Sequence, residues 1–233
     1  MCTVSFVYAN NSFLLTSNRD EKITRPSAIE PKIYQTATKK IIYPKDAKAG
    51  GTWFVVDEFG NAIILLNGGK TKHIPKDKYR LSRGVIVLEL IASNAIVSTW
   101  KTIDLTDIEP FTLLVLENKQ PFQLQWSGEE KSTDKLDINQ TYIWSSSTLY
   151  TSDIQQQRAA WFSQYMNENQ EISAEKMKFF HKNTEPKDAK NGLIINRDNL
   201  YKTLSVTQTV ISENSVFVNH SDLIQEQEYS ITF

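Results

Sequence analysis

The alternation of hydrophobic and polar residues at the start of the chain predicts a β-hairpin. Two short runs rich in β-branched and aromatic side chains flank residues 9–12, which are turn formers. With these four residues as the tip, Phe6 pairs with Leu15 across the hairpin. The same register pairs Cys2 with Arg19, so it brings a thiol and a guanidinium together near the chain terminus.

A second hairpin is predicted after Gly50 and Gly51, and its last strand is apolar throughout. Residues 52–56 and 62–66 flank a polar turn. Because residues 62–66 do not alternate between apolar and polar side chains, both faces of this strand should be covered by other parts of the protein. Such a strand is typical of a central position in a layered fold.

Pairs of amphipathic helices separate the predicted strands. Helical spacing of apolar residues follows Ser82, Asn94, Asp153 and Ser173, each of which can cap a helix. Further strands are predicted at residues 111–117, 122–126, 141–145, 192–196, 203–211, 216–219 and 229–233. Strands that alternate with helix pairs favour an α+β fold. Stacked antiparallel sheets with helices outside satisfy both patterns, so we predict a four-layer αββα sandwich that forms one domain over residues 1–233.

Two polar stretches are predicted to lack regular structure. Residues 23–48 contain three prolines and predict an irregular excursion with one short strand at residues 40–43. An excursion of this length is either a lid or wall of a binding site or a surface Ω-loop. Residues 128–139 are polar without apolar periodicity, and they predict a loop.

Composition and charge indicate an ordinary soluble globular protein. Of its 233 residues, 40% are apolar and 23% are charged. The net charge of −1 gives no reason to expect nucleic acid or an anionic membrane surface as a partner. The longest apolar run, residues 62–66, is too short to cross a bilayer, and the start of the chain lacks the pattern of a signal peptide. We therefore expect a cytoplasmic protein without an integral membrane segment.

Cys2 is the only cysteine, and its predicted neighbours favour nucleophilic chemistry. A guanidinium beside a thiol favours the reactive thiolate, which makes Arg19 a candidate activating residue. Removal of Met1 would give Cys2 a free α-amine that can act as the general base for its own side chain, while Asp20 holds the ammonium. The alternatives are that Cys2 is a small buried hydrophobic residue and that Arg19 and Asp20 form a surface ion pair.

The sequence gives no indication of a metal or cofactor site. One cysteine excludes an intramolecular disulfide and any CxxC site. The three histidines, His73, His181 and His220, are scattered without the spacing of zinc ligands. We therefore expect no cofactor, and we expect a small molecule as the partner.

Asn67 follows the covered strand and precedes two glycines. Glycines at this place leave backbone N–H groups accessible and permit left-handed turns. One interpretation is an oxyanion hole, in which the Asn67 amide and nearby N–H groups donate to a developing negative oxygen. The other is an ordinary turn at the end of a strand, for which Asn-Gly is a common dipeptide.

Several of these motifs together resemble the NRDE family, also called the transport and Golgi organisation protein 2 family. The resemblance begins in residues 1–3 and 17–21 and continues in residues 50–53, 66–67 and 82–84, so it covers most of the chain. That family resembles N-terminal-nucleophile hydrolases of the penicillin V acylase and bile salt hydrolase type. Those enzymes have a four-layer αββα sandwich and cut linear amide bonds with an N-terminal cysteine.

The resemblance implies specific roles for four residues. It makes Cys2 the nucleophile, puts Arg19 and Asp20 beside it, and makes Asn67 the asparagine of the oxyanion hole. An amide of low molecular weight is the substrate that it implies.

Two positions depart from the pattern of the resembled families. Ser146 occupies a place where an asparagine is expected, and Leu204 one where an arginine is expected. These departures favour an altered chemistry or a second class of function, a non-catalytic small-molecule carrier on the same fold. Family members have been associated with haem handling and with secretory-pathway organisation, so the resemblance makes haem one candidate ligand. The residues themselves do not support haem, since the chain has neither a Cys-Pro nor a CxxCH motif.

Overall fold

The computed structural model describes residues 3–233, so Met1 and the predicted nucleophile Cys2 lie outside the described residues. Over residues 3–233 the chain forms fourteen β-strands and four α-helices. In chain order they are β1 (Thr3–Ala9), β2 (Ser12–Lys22), β3 (Ile29–Gln35), β4 (Lys40–Lys45), β5 (Phe54–Asp57), β6 (Ala62–Asn67), α1 (Arg83–Ala92), α2 (Ile96–Thr102), β7 (Phe111–Glu117), β8 (Gln120–Trp126), β9 (Lys131–Lys135), β10 (Tyr142–Ser145), α3 (Ser152–Glu168), α4 (Ala174–Asn183), β11 (Asn196–Arg197), β12 (Tyr201–Ile211), β13 (Val216–Asp222) and β14 (Gln227–Thr232).

In the described residues the strands form two seven-stranded antiparallel sheets, each within its own compact unit. The N-terminal sheet has the order β10-β1-β2-β12-β13-β14, with β11 paired to β12, and the middle sheet runs from β3 to β9 in chain order. One unit joins the described part of Met1–Ser27 to Asn139–Phe233, and the other is Ala28–Ile138. The predicted α+β class with antiparallel sheets and helix pairs is confirmed. That residues 1–233 form one domain stays a prediction.

The first hairpin has the predicted register. Phe6 pairs with Leu15, and at the open end of the described hairpin Thr3 pairs with Asn18. The turn consists of Asn10 and Asn11, whose φ angles of 51° and 57° lie in the left-handed region. Two consecutive left-handed residues form the turn type that matches the twist of a two-residue hairpin, and asparagine tolerates this conformation well.

Helices α3 and α4 pack against one face of the N-terminal sheet. Their buried side chains form an apolar cluster with side chains from β1 and β2; its buried members are Val7, Leu14, Phe162, Ile172, Met177, Phe180 and Leu193. As predicted, Ser173 caps α4, and its side chain accepts a hydrogen bond from the Lys176 backbone N–H. Among the described residues, no helix is both long enough and apolar enough to span a membrane.

Strand β6 is covered on both faces, as its uniform apolar sequence predicts. Ile63 and Ile64 point to opposite faces and are both fully buried, and Leu65 is 5% exposed. The strand is central in the middle sheet, between β5 and β7.

A close backbone approach in the middle unit explains why Gly51 and Gly84 are glycines. The Thr52 N–H donates to the Gly84 carbonyl oxygen over 3.1 Å. A Cβ atom on Gly51 would lie 2.3 Å from the Gly84 carbonyl carbon, and one on Gly84 would lie 2.7 Å from the Thr52 carbonyl oxygen. Both contacts are far too short. The glycines in the motifs at residues 50–53 and 82–84 therefore allow the loop before β5 to pack against the start of α1.

Two strands occupy stretches for which the sequence predicts irregular structure. Strand β3 lies at an edge of the middle sheet, and its pairing with β4 shifts between Ile29 and Lys32, where Pro31 cannot donate to the ladder. Strand β9 forms the opposite edge and has almost only polar, exposed side chains. The prediction was wrong at both places because an edge strand can be held by backbone hydrogen bonds without an apolar pattern.

Candidate functional site

Asp20 is held by two hydroxyl groups from distant parts of the chain. The Tyr150 hydroxyl donates to Oδ2 and the Thr203 hydroxyl donates to Oδ1, each over 2.6 Å. Thr203 Oγ1 in turn accepts the Ile195 backbone N–H over 2.8 Å. Asp20 is only 3% exposed, so these charge-assisted hydrogen bonds replace the water that the carboxylate loses on burial.

Asn18 belongs to a second buried network, which fixes the protonation of a histidine. Its Nδ2 donates to the carbonyl oxygens of His181 and Leu193 over 3.0 and 2.7 Å. Its Oδ1 therefore accepts from His181 Nδ1–H, which leaves Nε2 to accept from the Ser5 hydroxyl over 2.7 Å. Burial, assisted by the Arg158 guanidinium, lowers the pKa of His181 to about 3, so the imidazole is neutral near pH 7.

Arg158 on α3 connects the helices to the first strand. Its guanidinium donates to Thr3 Oγ1 and to the Gly192 carbonyl over 2.6 Å each, and to the Asn191 carbonyl over 3.0 Å. It also lies 3.7 Å from the centre of the Tyr150 ring. The helical periodicity predicts Arg158 on the packed face of α3, but not this role. An arginine on the packed face of an amphipathic helix is itself a signal in the sequence, because a buried guanidinium needs specific partners.

Arg19 points away from these networks, because alternate residues of a strand face opposite sides of the sheet. It is 4% exposed and pairs across the sheet with Ser205, which pairs in turn with Asp222. In the next row of the same face, Ser17 pairs with Thr207. Within the part of the chain that the structure describes, the buried hydroxyls of Ser17 and Ser205 have no hydrogen-bond partner.

His220 extends the row of Ser17 and Thr207, which is next to the row of Arg19. It pairs with Thr207, and its Nδ1 lies 2.8 Å from Thr207 Oγ1. Burial has the largest effect on its pKa and lowers it to about 4; the Arg19 guanidinium acts in the same direction and the Asp222 carboxylate in the opposite one. The His220 imidazole is therefore neutral near pH 7.

A β-bulge lies opposite the junction of Arg19 and Asp20. Asp20 pairs with Thr203 and Arg19 with Ser205, so the pairing passes over Leu204. The Leu204 carbonyl accepts the Leu223 N–H over 2.9 Å, and its side chain is 6% exposed. The bulge aligns Thr203 with Asp20, and its extra residue is the apolar Leu204, at a place where the sequence resemblance implies an arginine.

Asn67 is the last residue of β6 and belongs to the middle unit, whereas Arg19 and Asp20 belong to the unit of the N-terminal sheet. Gly68 follows it in the left-handed region with φ of 86°, and its N–H donates to the Pro110 carbonyl over 3.0 Å. The predicted glycine turn is therefore present. The predicted approach of Asn67 to Cys2 stays a prediction.

An ion-pair cluster supports this turn in the middle unit. Arg83 Nη1 donates to the Pro110 carbonyl over 3.2 Å, and Nη2 lies 3.0 Å from Glu109 Oε2. His73 Nε2 lies 3.2 Å from Glu109 Oε1. Within the described residues, no group of three or more His, Cys, Asp or Glu side chains is placed to hold a metal ion.

The comparison with protein families covers nearly the whole chain. The family model described as Transport and Golgi organisation 2 matches residues 1–230. No curated protein matches the chain in sequence.

Solved structures of two hydrolytic enzymes resemble the chain. Two are variants of conjugated bile acid hydrolase from Clostridium perfringens, with 10% and 9% identity and TM-scores of 0.52 and 0.53; each match covers 99% of this chain and 92% of that chain. The third is a Caenorhabditis elegans orthologue of N-acylethanolamine-hydrolyzing acid amidase, with 12% identity, a TM-score of 0.62, and coverage of 91% and 93%. At such identities the likeness shows the fold alone, and it confirms a fold like that of N-terminal-nucleophile hydrolases.

Proposed function

Because this chain belongs to the transport and Golgi organisation 2 family, we propose that it cuts linear amide bonds of small molecules, with Cys2 as an N-terminal nucleophile. The observation that carries the proposal is the buried guanidinium of Arg19 at the open end of the first hairpin. Thr3, the residue after Cys2, pairs with Asn18, the residue before Arg19. A fixed cation at this place favours a thiolate.

The proposed reaction needs only groups of this chain and water. After removal of Met1, the Cys2 α-amine takes the thiol proton, and the thiolate attacks the amide carbonyl carbon. The Asn67 amide and a backbone N–H stabilise the oxyanion. When the C–N bond breaks, the leaving amine takes the proton from the ammonium; water then hydrolyses the thioester and restores the thiol. Arg19 favours the thiolate, and Asp20 positions the terminus.

The first test uses purified protein whose removal of Met1 is verified by intact mass. A conjugated bile acid and an N-acylethanolamine serve as probe amides, and release of the acid is followed by mass spectrometry. We expect turnover of at least one probe, its loss in Cys2→Ala, and slower alkylation of Cys2 by iodoacetamide near pH 7 in Arg19→Ala. Retention of Met1 by protein from the native host, together with alkylation at the rate of an ordinary thiol, would overturn the proposal.

Leu204 favours a second candidate, a small-molecule carrier on the same fold. Its apolar side chain lies where the resembled families have an arginine, so the cation expected there is missing. We propose haem as the ligand to test first, by titration followed by absorbance. A carrier should bind its ligand whether or not Met1 is retained, and Cys2→Ala should leave binding unchanged unless the sulfur ligates the haem iron. For either function we propose the cytoplasm, where the thiol stays reduced.

A further inference from the structure

Arg158 is a buried cation whose donors serve the start of the first strand. The side chain is completely buried, and its hydrogen bonds go to one hydroxyl and two backbone carbonyls, together with the face of the Tyr150 ring. Carbonyls and a ring face stabilise a guanidinium less than a carboxylate does, so burial of this charge is expensive. The apolar cluster that includes Val7, Leu14 and Phe162 already attaches the helices to the sheet without it.

Two paths lead from Arg158 to the residues next to the proposed nucleophile. The first is direct, because its Nη1 donates to the hydroxyl of Thr3, which follows Cys2 in the chain. The second passes through Tyr150, whose ring lies against the guanidinium and whose hydroxyl donates to Asp20. One side chain on α3 thus restrains both strands of the hairpin at its open end.

We propose that Arg158 is a positioning residue for Cys2, acting through Thr3 and through the pair of Tyr150 and Asp20. The proposal rests on the proposed function, since it assigns Arg158 to that site. Its positive charge adds to that of Arg19 in favouring a thiolate at the chain terminus. Loss of Arg158 should therefore change the reactivity of Cys2, and not only the stability of the fold.

The test compares the pH dependence of Cys2 alkylation by iodoacetamide in processed protein. Arg158→Met keeps most of the side-chain volume but removes the charge and the donors. We expect alkylation near pH 7 to slow by about tenfold and the midpoint of the profile to move to higher pH by about one unit. Arg158→Lys keeps the positive charge but lacks the planar guanidinium with its several donors. Its alkylation rate should therefore lie between those of Arg158→Met and the unsubstituted protein.

Phe162→Leu is the matched control, because Phe162 lies four residues further along α3 and belongs to the apolar cluster. It should lower the melting temperature and leave the alkylation profile of Cys2 unchanged. If Arg158→Met fails to fold, Thr3→Val removes the acceptor on the direct path, and a smaller shift in the same direction is expected. An unchanged profile in Arg158→Met, or in Thr3→Val if that variant must be used instead, would overturn the proposal.

The same experiments separate this proposal from the proposed function. Alkylation needs no substrate, so it reports on the reactivity of the Cys2 thiol even if neither probe amide is turned over. Absence of turnover with a shifted profile would reject hydrolysis of these probes and retain the positioning role. Turnover with an unshifted profile would retain hydrolysis and reject the positioning role. If both hold, Arg158→Met should lower kcat more than it raises KM, because it acts on the nucleophile.

Discussion

The two faces of β2 differ sharply in how their buried polar groups are satisfied. On the face toward the helices, Asn18 and Asp20 have partners for their side-chain oxygens, and these partners come from α4, β12 and the segment before α3. On the other face, the hydroxyls of Ser17 and Ser205 flank Arg19, and neither has a partner among the described residues. Alternate residues of β2 therefore lie in two different environments. The helix-facing side chains of Asn18 and Asp20 are tied to distant parts of the chain, while the other face contains two buried hydroxyls without a partner among the described residues.

The largest effect should come from the helix-facing side. Asn18→Ala removes three buried hydrogen bonds, those to the carbonyls of His181 and Leu193 and the one from His181 Nδ1–H. We expect a loss of about 3–5 kcal/mol in the free energy of unfolding, measured by urea denaturation. A loss below about 1 kcal/mol would mean that this face does not hold the fold, and the contrast between the faces would disappear.

Strand β6 sharpens the comparison, since both of its faces are apolar and buried. Ile64→Ala and Leu65→Ala each remove a buried side chain from opposite faces of one strand. Each should lower the free energy of unfolding by about 2–5 kcal/mol in urea. A strand with two structural faces should lose stability from either substitution, whereas β2 should respond strongly on one face only.

The two histidines give a pH-dependent test, because His181 lies on the helix-facing side and His220 on the other. Both pKa values are lowered by burial, to about 3 and about 4, from 6.5. As the pH falls, these histidines therefore bind protons in the unfolded chain before they do so in the folded protein. The stability that they contribute is full above pH 6.5 and is lost as the pH falls toward the lower folded-state values. Between pH 7 and pH 5, each histidine should lower the free energy of unfolding by about 2 kcal/mol.

His181→Gln should remove about half of this pH dependence, with the free energy of unfolding measured in urea at pH 7, 6 and 5. His220→Gln is the matched variant on the opposite face and should remove the other half. If neither substitution flattens the dependence, the two imidazoles are not neutral in the folded protein.

The smallest effect is expected on the face that holds Arg19. Ser17→Ala deletes a hydroxyl that has no partner among the described residues, so the free energy of unfolding should change by less than about 1 kcal/mol or rise slightly. The same protein should show altered kinetics of Cys2 alkylation if the hydroxyl serves the site. A loss as large as that of Asn18→Ala would show that Ser17 has a structural partner.

Local sequence patterns were sufficient for much of the fold. Two asparagines between β-prone runs determined the first hairpin and its register, because turn type and strand pairing are local properties. The uniform apolar run of β6 determined that both its faces are covered, and the cap at Ser173 marked the start of α4. Alternation along β2 also implies that Arg19 and Asp20 face opposite sides, although the sequence motif presents them together.

Only the tertiary structure decided which hydrogen-bond partners the side chains of β2 have. Tyr150, Thr203 and His181 lie 130, 183 and 163 positions along the chain from their partners in β2, and no spacing rule links residues so far apart. The bulge at Leu204 and the edge strands β3 and β9 depend on backbone pairing, which leaves little trace in side-chain patterns. Local sequence patterns thus determined the strands and the alternation of side chains along β2, and long-range packing decided which partners those side chains have, because partners that distant meet only when the whole chain has folded.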